Sequence, residues 1–480
     1  MYPQLRTRRG FPVAKQASQG RNAIHLIQQL QEALGTDSIR TGAEIPIRNW
    51  SDASGTEPVC PLALILPRTT RHVSMALALA NAHGRAVVPQ GGMTGLAGGA
   101  TPGTGELALS LERMTGVEEI DPVSGTITAL AGTPLQVVQE AAEAAGFLLG
   151  IDLGARGTCT IGGNVATNAG GNQVLRYGMT RANLRGLEAV LADGRIVRSM
   201  NKMMKNNTGY DWTQLFVGSE GTLGIVTRVT LALHPRPPVI ASALVKVADT
   251  QAALALLRDL GRRLPGGLLV FEAMWDEFYG IATGKMGLAA PLAADKSLFV
   301  LIEAAEAGDT ALQEALGACL EAGAILDAVI AQSEAERRRF WALRESVYEH
   351  ARHFPPTVGF DISIPLDRMA AAVQALRARI AEAFPGAAWV VFGHLADSNL
   401  HVNVMAEPAG PATRKAAEAV VYGVVSDFGG SVSAEHGIGR MKAPYLHLSR
   451  SAPELDLMGE IKGLLDPKGI LSPGRIFDTL

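Results

Sequence analysis

Cysteine is scarce. Only Cys60, Cys159 and Cys319 occur in 480 residues, far apart and with no Cys-x-x-Cys spacing. That excludes a disulfide framework and favours a reducing compartment. Long apolar runs are absent as well. None approaches the roughly 18 residues that would cross a bilayer, so no transmembrane segment is expected. Charge is sparse and nearly balanced, at 19% charged residues and a formal net charge of −3. Such a chain has no bulk attraction for nucleic acid or an anionic membrane. Thr7-Arg8-Arg9-Gly10-Phe11 holds the paired arginines of an export signal, but no apolar segment follows them. A soluble cytoplasmic protein is the expectation.

Apolar residues make up 47% of the chain, a globular value at a length suited to two domains or more. Up to residue 233, short β-branched runs alternate with helical spacing. Strands are expected at 63–66, 107–111, 126–130 and 222–233, and helices at 70–83 and 134–145. Asp193-Gly194 between 187–191 and 196–199 is a hairpin signal. The cluster His234-Pro235-Arg236-Pro237-Pro238 marks a domain boundary. Beyond it the pattern becomes α+β. Helices are expected at 250–260, 310–321, 334–350 and 366–384, and strands at 241–247, 268–272, 298–304 and 388–392. An antiparallel sheet with helices on one face fits this order.

The 53 glycines cluster in loops. Pro89-Gln90-Gly91-Gly92-Met93-Thr94-Gly95-Leu96-Ala97-Gly98-Gly99-Ala100 follows the apolar run Ala86-Val87-Val88. Bare backbone amides in such a loop can approach and donate to a phosphate. A Rossmann nicotinamide site would suit the loop, with Glu112 about 20 residues on as the ribose ligand. But a Rossmann loop opens a helix, and Gly98-Gly99-Ala100-Thr101-Pro102-Gly103-Thr104-Gly105 cannot sustain one. Two more loops, residues 152–171 and Gly218-Ser219-Glu220-Gly221-Thr222-Leu223-Gly224-Ile225, combine glycine with small polar side chains. Three such loops suit a long, buried cofactor.

Pro-x-Gly-Gly-x-Thr-Gly-Leu-Ala-Gly at Pro89, Thr-Ile-Gly-Gly-Asn at Thr160 and the Gly218–Ile225 stretch together resemble the vanillyl-alcohol oxidase / p-cresol methylhydroxylase superfamily of flavoproteins. Within it the chain resembles the FAD-linked D-2-hydroxyacid dehydrogenases. The resemblance implies an α+β, two-domain flavoprotein. Residues 1–235 would bind FAD, 236–430 would form a sheet-and-helix substrate cap, and 431–480 would pack back near the flavin. Pro89, Gly91, Gly92, Met93, Thr94 and Gly95 would hold the pyrophosphate. Gly157, Thr158, Ile161, Gly162, Gly163, Asn164, Ala169 and Gly170 would line the ribityl chain and ring. Glu220 and Ile225 would lie near the adenine half. No histidine occurs in residues 89–100, so non-covalent FAD is expected. Cys159 reads as a small packed residue.

Residues 390–404 read as two short strands around a turn at 396–399. Strand alternation puts Phe392 and His394 on one face and His401 and Asn403 on one face. A hairpin then sets His394 beside His401, as a divalent metal would require or as two histidines satisfied in a polar turn would allow. Glu435 could complete two histidines and a carboxylate, and the adjacent His436 is a candidate base. The family resemblance selects among these readings. It implies that His394, His401 and Glu435 hold a metal, expected to be zinc, that Asn403 helps hold the substrate, and that His436 takes the hydroxyl proton.

By the same resemblance, Arg344 in Trp341-Ala342-Leu343-Arg344-Glu345-Ser346 would bind the substrate carboxylate. An ion pair with Glu345 or Glu349 is the structural alternative. The hydroxyglutarate enzymes carry Thr four residues later and Lys two residues before the next strand's Asp; here those positions are Tyr348, which by the same resemblance would contact the substrate, and Gly359. A lost cation argues against a second substrate carboxylate. Lys468 and Arg475 read as surface or cofactor-edge cations. The expected reaction is oxidation of a small D-2-hydroxy acid, with electrons passed to a quinone, a cytochrome or an electron-transfer flavoprotein, by a protein that could dimerise. The rival readings are a metal-independent carbohydrate or aldonolactone oxidase of the same superfamily and a non-catalytic binding protein.

Overall fold

The structure, a computed structural model, describes residues 13–237, 239–306 and 310–477. The arginine pair of Thr7–Phe11 and Pro238 of the boundary cluster lie outside them. In the N-terminal half, Ala63–Ile65, Leu107–Ser110 and Val87–Gln90 lie side by side in parallel, with Ile39–Arg40 antiparallel at one edge. The helix Thr70–Ala82 links the two strands that flank Leu107–Ser110. The Thr69 hydroxyl caps it by accepting from the amide of His72, and Val73, Ala76, Leu77 and Ala80 turn one face inward. Val73 and Leu77 each contribute roughly 1.5–3 kcal/mol on full burial, and the two alanines less.

Five antiparallel strands form a second sheet, in the order Val117–Asp121, Thr126–Leu130, Ile225–Ala232, Leu184–Val190, Ile196–Ser199. The two sheets share one apolar core, and Ile470 and Leu471 return to it from the far end of the chain. The amide of Val87 donates to Ile470, and that of Ser472 to Val87. This pairs the C-terminal segment with the strand that leads into the first glycine loop.

After the prolines, seven strands make one antiparallel sheet. Their order is Asp327–Ile330, Val239–Val247, Leu298–Glu306, Leu268–Met274, Ala388–His394, Asn399–Met405, Thr357–Ser363. Alternation sends Val245, Val300, Phe271, Val391, Val402 and Phe360 to one face. The helices Thr250–Arg263, Ala311–Glu321, Met369–Ala383 and Pro411–Asp427 cover it. The other face is not free of helices, as the sequence pattern suggested. Asp276–Gly280 and Glu334–Glu345 roof part of it, over Met274, Phe299, Leu301, Val390 and Phe392. Toward the Thr357–Ser363 edge that same face carries polar side chains.

Three local expectations are corrected. The helix read at 334–350 ends at Glu345 and tightens into a 3-10 segment, Ser346–Arg352. Thr-Ile-Gly-Gly-Asn is not a loop throughout. Thr160 caps a short helix, Ile161–Thr167, and a Cβ at Gly162 would meet that of Ala131 at 2.5 Å. Only glycine permits that approach between helix and strand. Arg475 is no surface cation: it is 1% exposed, and its guanidinium donates to Glu106 and to the carbonyl of Thr101. Among the described residues no helix is long and apolar enough to cross a membrane.

Candidate active site

Strand register assembles the polar face. Glu272 pairs with His394, Asp361 with His401, and Gly359 with Asn403 across adjacent strands. Paired residues share a face, so Glu272, His394, His401, Asn403 and Asp361 all project to the side opposite the four helices. The hairpin sets the rings of His394 and His401 with centroids 5.5 Å apart. The loop after Ser433 brings Glu435 to both. Its Oε2 lies 3.9 Å from Nε2 of His394 and 4.0 Å from Nε2 of His401. Candidate ligand atoms of all three lie within 4.8 Å of one another, a spacing at which one divalent ion could be held. The other oxygen of Glu435 accepts from the amide of Gly171, which ties the cluster to the second glycine loop.

Each histidine has a carboxylate behind it. Nδ1 of His394 is hydrogen-bonded to Glu272, and Nδ1 of His401 lies 3.8 Å from Asp361. The hydrogen bond fixes the ring of His394, whereas Asp361 stands too far from His401 for a hydrogen bond and acts on it through charge; in both rings Nε2 faces Glu435. Burial opposes a charge on His394, but Glu272 and Glu435 outweigh it and raise its pKa to about 9. Burial wins at His401, which is pushed well below the ordinary histidine value despite Asp361. Glu272 is ionised with its pKa lowered to about 2; its burial is overcome by His394 and Arg344. Asp361 is likewise held far below the carboxylate range, its burial overcome by His436, Lys442 and His401.

His436 stands apart from the triad. Its Nδ1 lies 3.8 Å from Oδ2 of Asp361, and its ring runs nearly parallel to that of His401 at 6.3 Å. Arg344 is buried and pairs with Glu272 at 2.7 Å, not with Glu345 or Glu349. Its guanidinium rests 4.6 Å over the ring of Phe392, and among the described residues its terminal nitrogens have no hydrogen-bond partner. They remain available to a carboxylate. Tyr348 is 72% exposed, with its hydroxyl over Gly154 of the N-terminal half. A Cβ at Gly359 would lie 3.1 Å from Oδ1 of Asn403 and would meet nothing else within 4 Å among the described residues.

The glycine loops converge on the same region. The would-be Cβ of Gly92 falls 1.9 Å from the carbonyl oxygen of Thr158, and that of Gly91 2.5 Å from Oγ1 of Thr160. Pro89 packs against Gly221. The loop is braced from outside, where Asp52 accepts from the amide of Ala100 and Gln90 donates to the carbonyls of Asn49 and Ala100. Inside it, the amides of Gly91, Gly92, Met93, Thr94 and Gly95 meet no acceptor among the described residues. Met93 holds a left-handed φ of 58°. The buried side-chain nitrogen of Asn164 also lacks a hydrogen-bond partner among the described residues. A row of unpaired amides and an orphaned buried amide nitrogen fit a phosphate-bearing cofactor with a hydrogen-bonding ring. Gly157, Ala169 and Gly170 lie in the loops that flank the short helix Ile161–Thr167, and Gly163 lies within that helix; Gly170 approaches Glu435.

Two residues expected near the adenine half, Glu220 and Ile225, turn their side chains to the chain itself. The carboxylate of Glu220 accepts from the amides of Ile438 and Gly439, and the side chain of Ile225 is buried in the core. Cys159 is buried, and burial raises its thiol. Sequence reasoning passed over Glu272, Asp361 and Lys442. Glu272 and Asp361 did carry a signal, a carboxylate inside an otherwise apolar strand.

Residues 236–476 match the family model for FAD linked oxidases, C-terminal domain, and residues 61–199 match that for the FAD binding domain. The chain is 41% identical over 421 residues to the mitochondrial D-2-hydroxyglutarate dehydrogenase of Bos taurus, covering 87% of this chain and 77% of that protein. It is 39% identical over 427 residues to the D-2-hydroxyglutarate dehydrogenase of Xanthomonas citri pv. viticola, covering 87% and 90%. Its fold is shared with the 4-ethylphenol oxidase of Gulosibacter chungangensis, at a TM-score of 0.74, 18% identity and coverage of 96% and 98%. p-Cresol methylhydroxylase with substrate bound gives 0.72, 15%, and coverage of 95% and 97%.

Proposed function

The chain belongs to the FAD-linked oxidases, among the FAD-linked D-2-hydroxyacid dehydrogenases of the vanillyl-alcohol oxidase / p-cresol methylhydroxylase superfamily, and on that premise we propose that it oxidises a D-2-hydroxy acid to the 2-oxo acid. D-2-Hydroxyglutarate, named in both relatives, is the first substrate to test. The observation that carries the reading is the convergence of His394, His401 and Glu435 on one point, with the free edge of Arg344 on the same face.

When bound, FAD supplies the hydride acceptor and a divalent ion on His394, His401 and Glu435 supplies Lewis acidity. The residues do the rest. Arg344 engages the substrate carboxylate through its terminal nitrogens, held in place by Glu272 on its Nε. Asn403, one alternation along from His401, orients the substrate. His436 takes the hydroxyl proton, with Asp361 behind its Nδ1. The unpaired amides of residues 91–95 and the side chain of Asn164 hold the cofactor.

Gly359 favours a second reading. With no cation at that position, a hydroxy acid bearing one carboxylate would lose nothing. Anaerobic mixing with D-2-hydroxyglutarate, D-lactate and their L-forms decides between them through kcat/KM for flavin bleaching. Bleaching by D-forms alone is expected. No bleaching by any of them, with metal present, would sink the function. His436→Ala should keep FAD and metal and lose about 10²–10⁴-fold in the rate of reduction.

A further inference from the structure

We propose that Glu220 is a positioning residue that fixes the loop carrying Glu435 and His436 to the FAD-binding half, and is not itself a contact to FAD. Residues 434–439 are gripped from two sides. On one side Oδ2 of Asp361, in the seven-stranded sheet, accepts from the amides of Ala434, Glu435 and His436 at 3.1, 2.8 and 3.0 Å. On the other side Glu220, in the N-terminal half, accepts from Ile438 at 2.7 Å through Oε1 and from Gly439 at 2.8 Å through Oε2. Of these six amides only that of Gly437 is not taken by one of the two carboxylates. His436 sits between the grips.

The local backbone is shaped for this contact. Glu220 itself holds a left-handed φ of 51°, and its amide is tied to the carbonyl of Ala166 at 2.8 Å. A Cβ at Gly437 would come within 2.8 Å of Oε1 of Glu220, and Gly437 has a φ of 75°. Glycine is required there on both counts. The loop then continues onto the first glycine loop: the amides of Arg440 and Met441 both donate to the carbonyl of Ala97, at 3.0 and 3.1 Å. Burying a carboxylate is costly unless its partners are fixed. Both oxygens of Glu220 take amides of this loop; burial still raises its carboxyl above the ordinary value, and those two amides and Lys442, itself buried beside Asp361, work against that rise.

The catalytic part of the inference rests on His436 being the base, as proposed above. The experiment uses the full-length holoenzyme, with Glu220→Gln to weaken the acceptor and Gly437→Ala to push the loop off it from the other side. Three quantities are read: amide exchange of Ile438 and Gly439, the Kd for FAD measured on the apo-protein, and kcat and KM. Exchange at the two amides should speed by about tenfold or more, kcat should fall about 100-fold, and FAD Kd and KM should stay within about threefold. Unchanged exchange overturns the proposal. So does an FAD Kd raised about tenfold with kcat intact at saturating FAD, the pattern of a cofactor contact. If the wild-type flavin is reduced by no D-2-hydroxy acid, the functional reading fails, while exchange and FAD Kd still decide the role of Glu220.

Discussion

Glu272 and Arg344, 72 residues apart in sequence, form an ion pair of 2.7 Å in which the side chains are 2% and 9% exposed. The same carboxylate also binds His394. One buried group therefore orients both the candidate substrate anchor and a candidate metal ligand. Glu272→Ala strips the partner from a buried guanidinium, which costs about 3–5 kcal/mol. Urea unfolding should show that loss, and Glu272→Gln, which keeps an acceptor oxygen, should lose less. Equal stability of the alanine variant and the wild type would mean that Arg344 finds another partner.

The contact between the first two glycine loops makes a second prediction. A methyl at residue 92 would fall 1.9 Å from a carbonyl oxygen and 2.9 Å from the Cα of Cys159. Backbone cannot yield there as a side-chain tip would. Gly92→Ala should force the loops apart and weaken FAD binding by about tenfold or more, read by titrating the apo-protein with FAD. Gly261 is the control. It lies within the helix Thr250–Arg263, and a Cβ there meets nothing within 4 Å. Gly261→Ala should leave FAD affinity unchanged and add up to about 1 kcal/mol of stability.

The pairing of His394 with His401 was legible because it is local. Both sit on one hairpin, and the pleat alone fixes their faces. The strands and helices of the second domain were legible for the same reason, since apolar period and caps are local signals. Asp361 and Glu220 were not. The register that sets Asp361 opposite His401 is a pairing of distant strands, and the amides that Glu220 accepts lie 218 and 219 residues away. A motif can mark such a residue as constrained without saying what constrains it. Glu220 was therefore read as a cofactor contact when its carboxylate is spent on the chain itself. The short helix after Thr160 was missed because two glycines argue against helix; close packing on Ala131 explains Gly162, the first of them.

A pH dependence of stability follows from His350. It is 2% exposed, neither ring nitrogen has a hydrogen-bond partner among the described residues, and Phe278 and Phe354 flank it at 5.8 and 5.6 Å. Burial, with a smaller contribution from His353, pushes its pKa below the ordinary value of 6.5. The unfolded chain therefore binds the proton more readily than the native state does. Above the ordinary value His350 has no effect on stability. As pH falls below it, the native state loses up to about 1.4 kcal/mol per pH unit, until the lowered native value is reached. His350→Leu removes that slope. Urea unfolding at about pH 5 and about pH 7.5 should show wild type losing more stability on acidification than the leucine variant. Parallel losses in the two proteins would assign the acid sensitivity to other groups.

Metal dependence is the sharpest division between the proposed reaction and a metal-free oxidase of the same superfamily. The Nε2 atoms of His394 and His401 both face Oε2 of Glu435, and the outer nitrogens of both rings are backed by carboxylates. A structural polar cluster would not need that arrangement at three chain positions. Dialysis against a chelator should leave FAD bound, because the cofactor loops lie on other elements, and should slow reduction by about 10²-fold or more. Added zinc should restore the rate. Glu435→Gln separates charge from packing: its amide oxygen can still accept from Gly171, whereas the anionic ligand is gone. It should retain FAD and lose metal, measured by elemental analysis. Full activity in chelator-treated protein with less than about one-tenth of its metal would remove the triad from the chemistry. Arg344 and His436 would then be left to act as in a metal-independent oxidase.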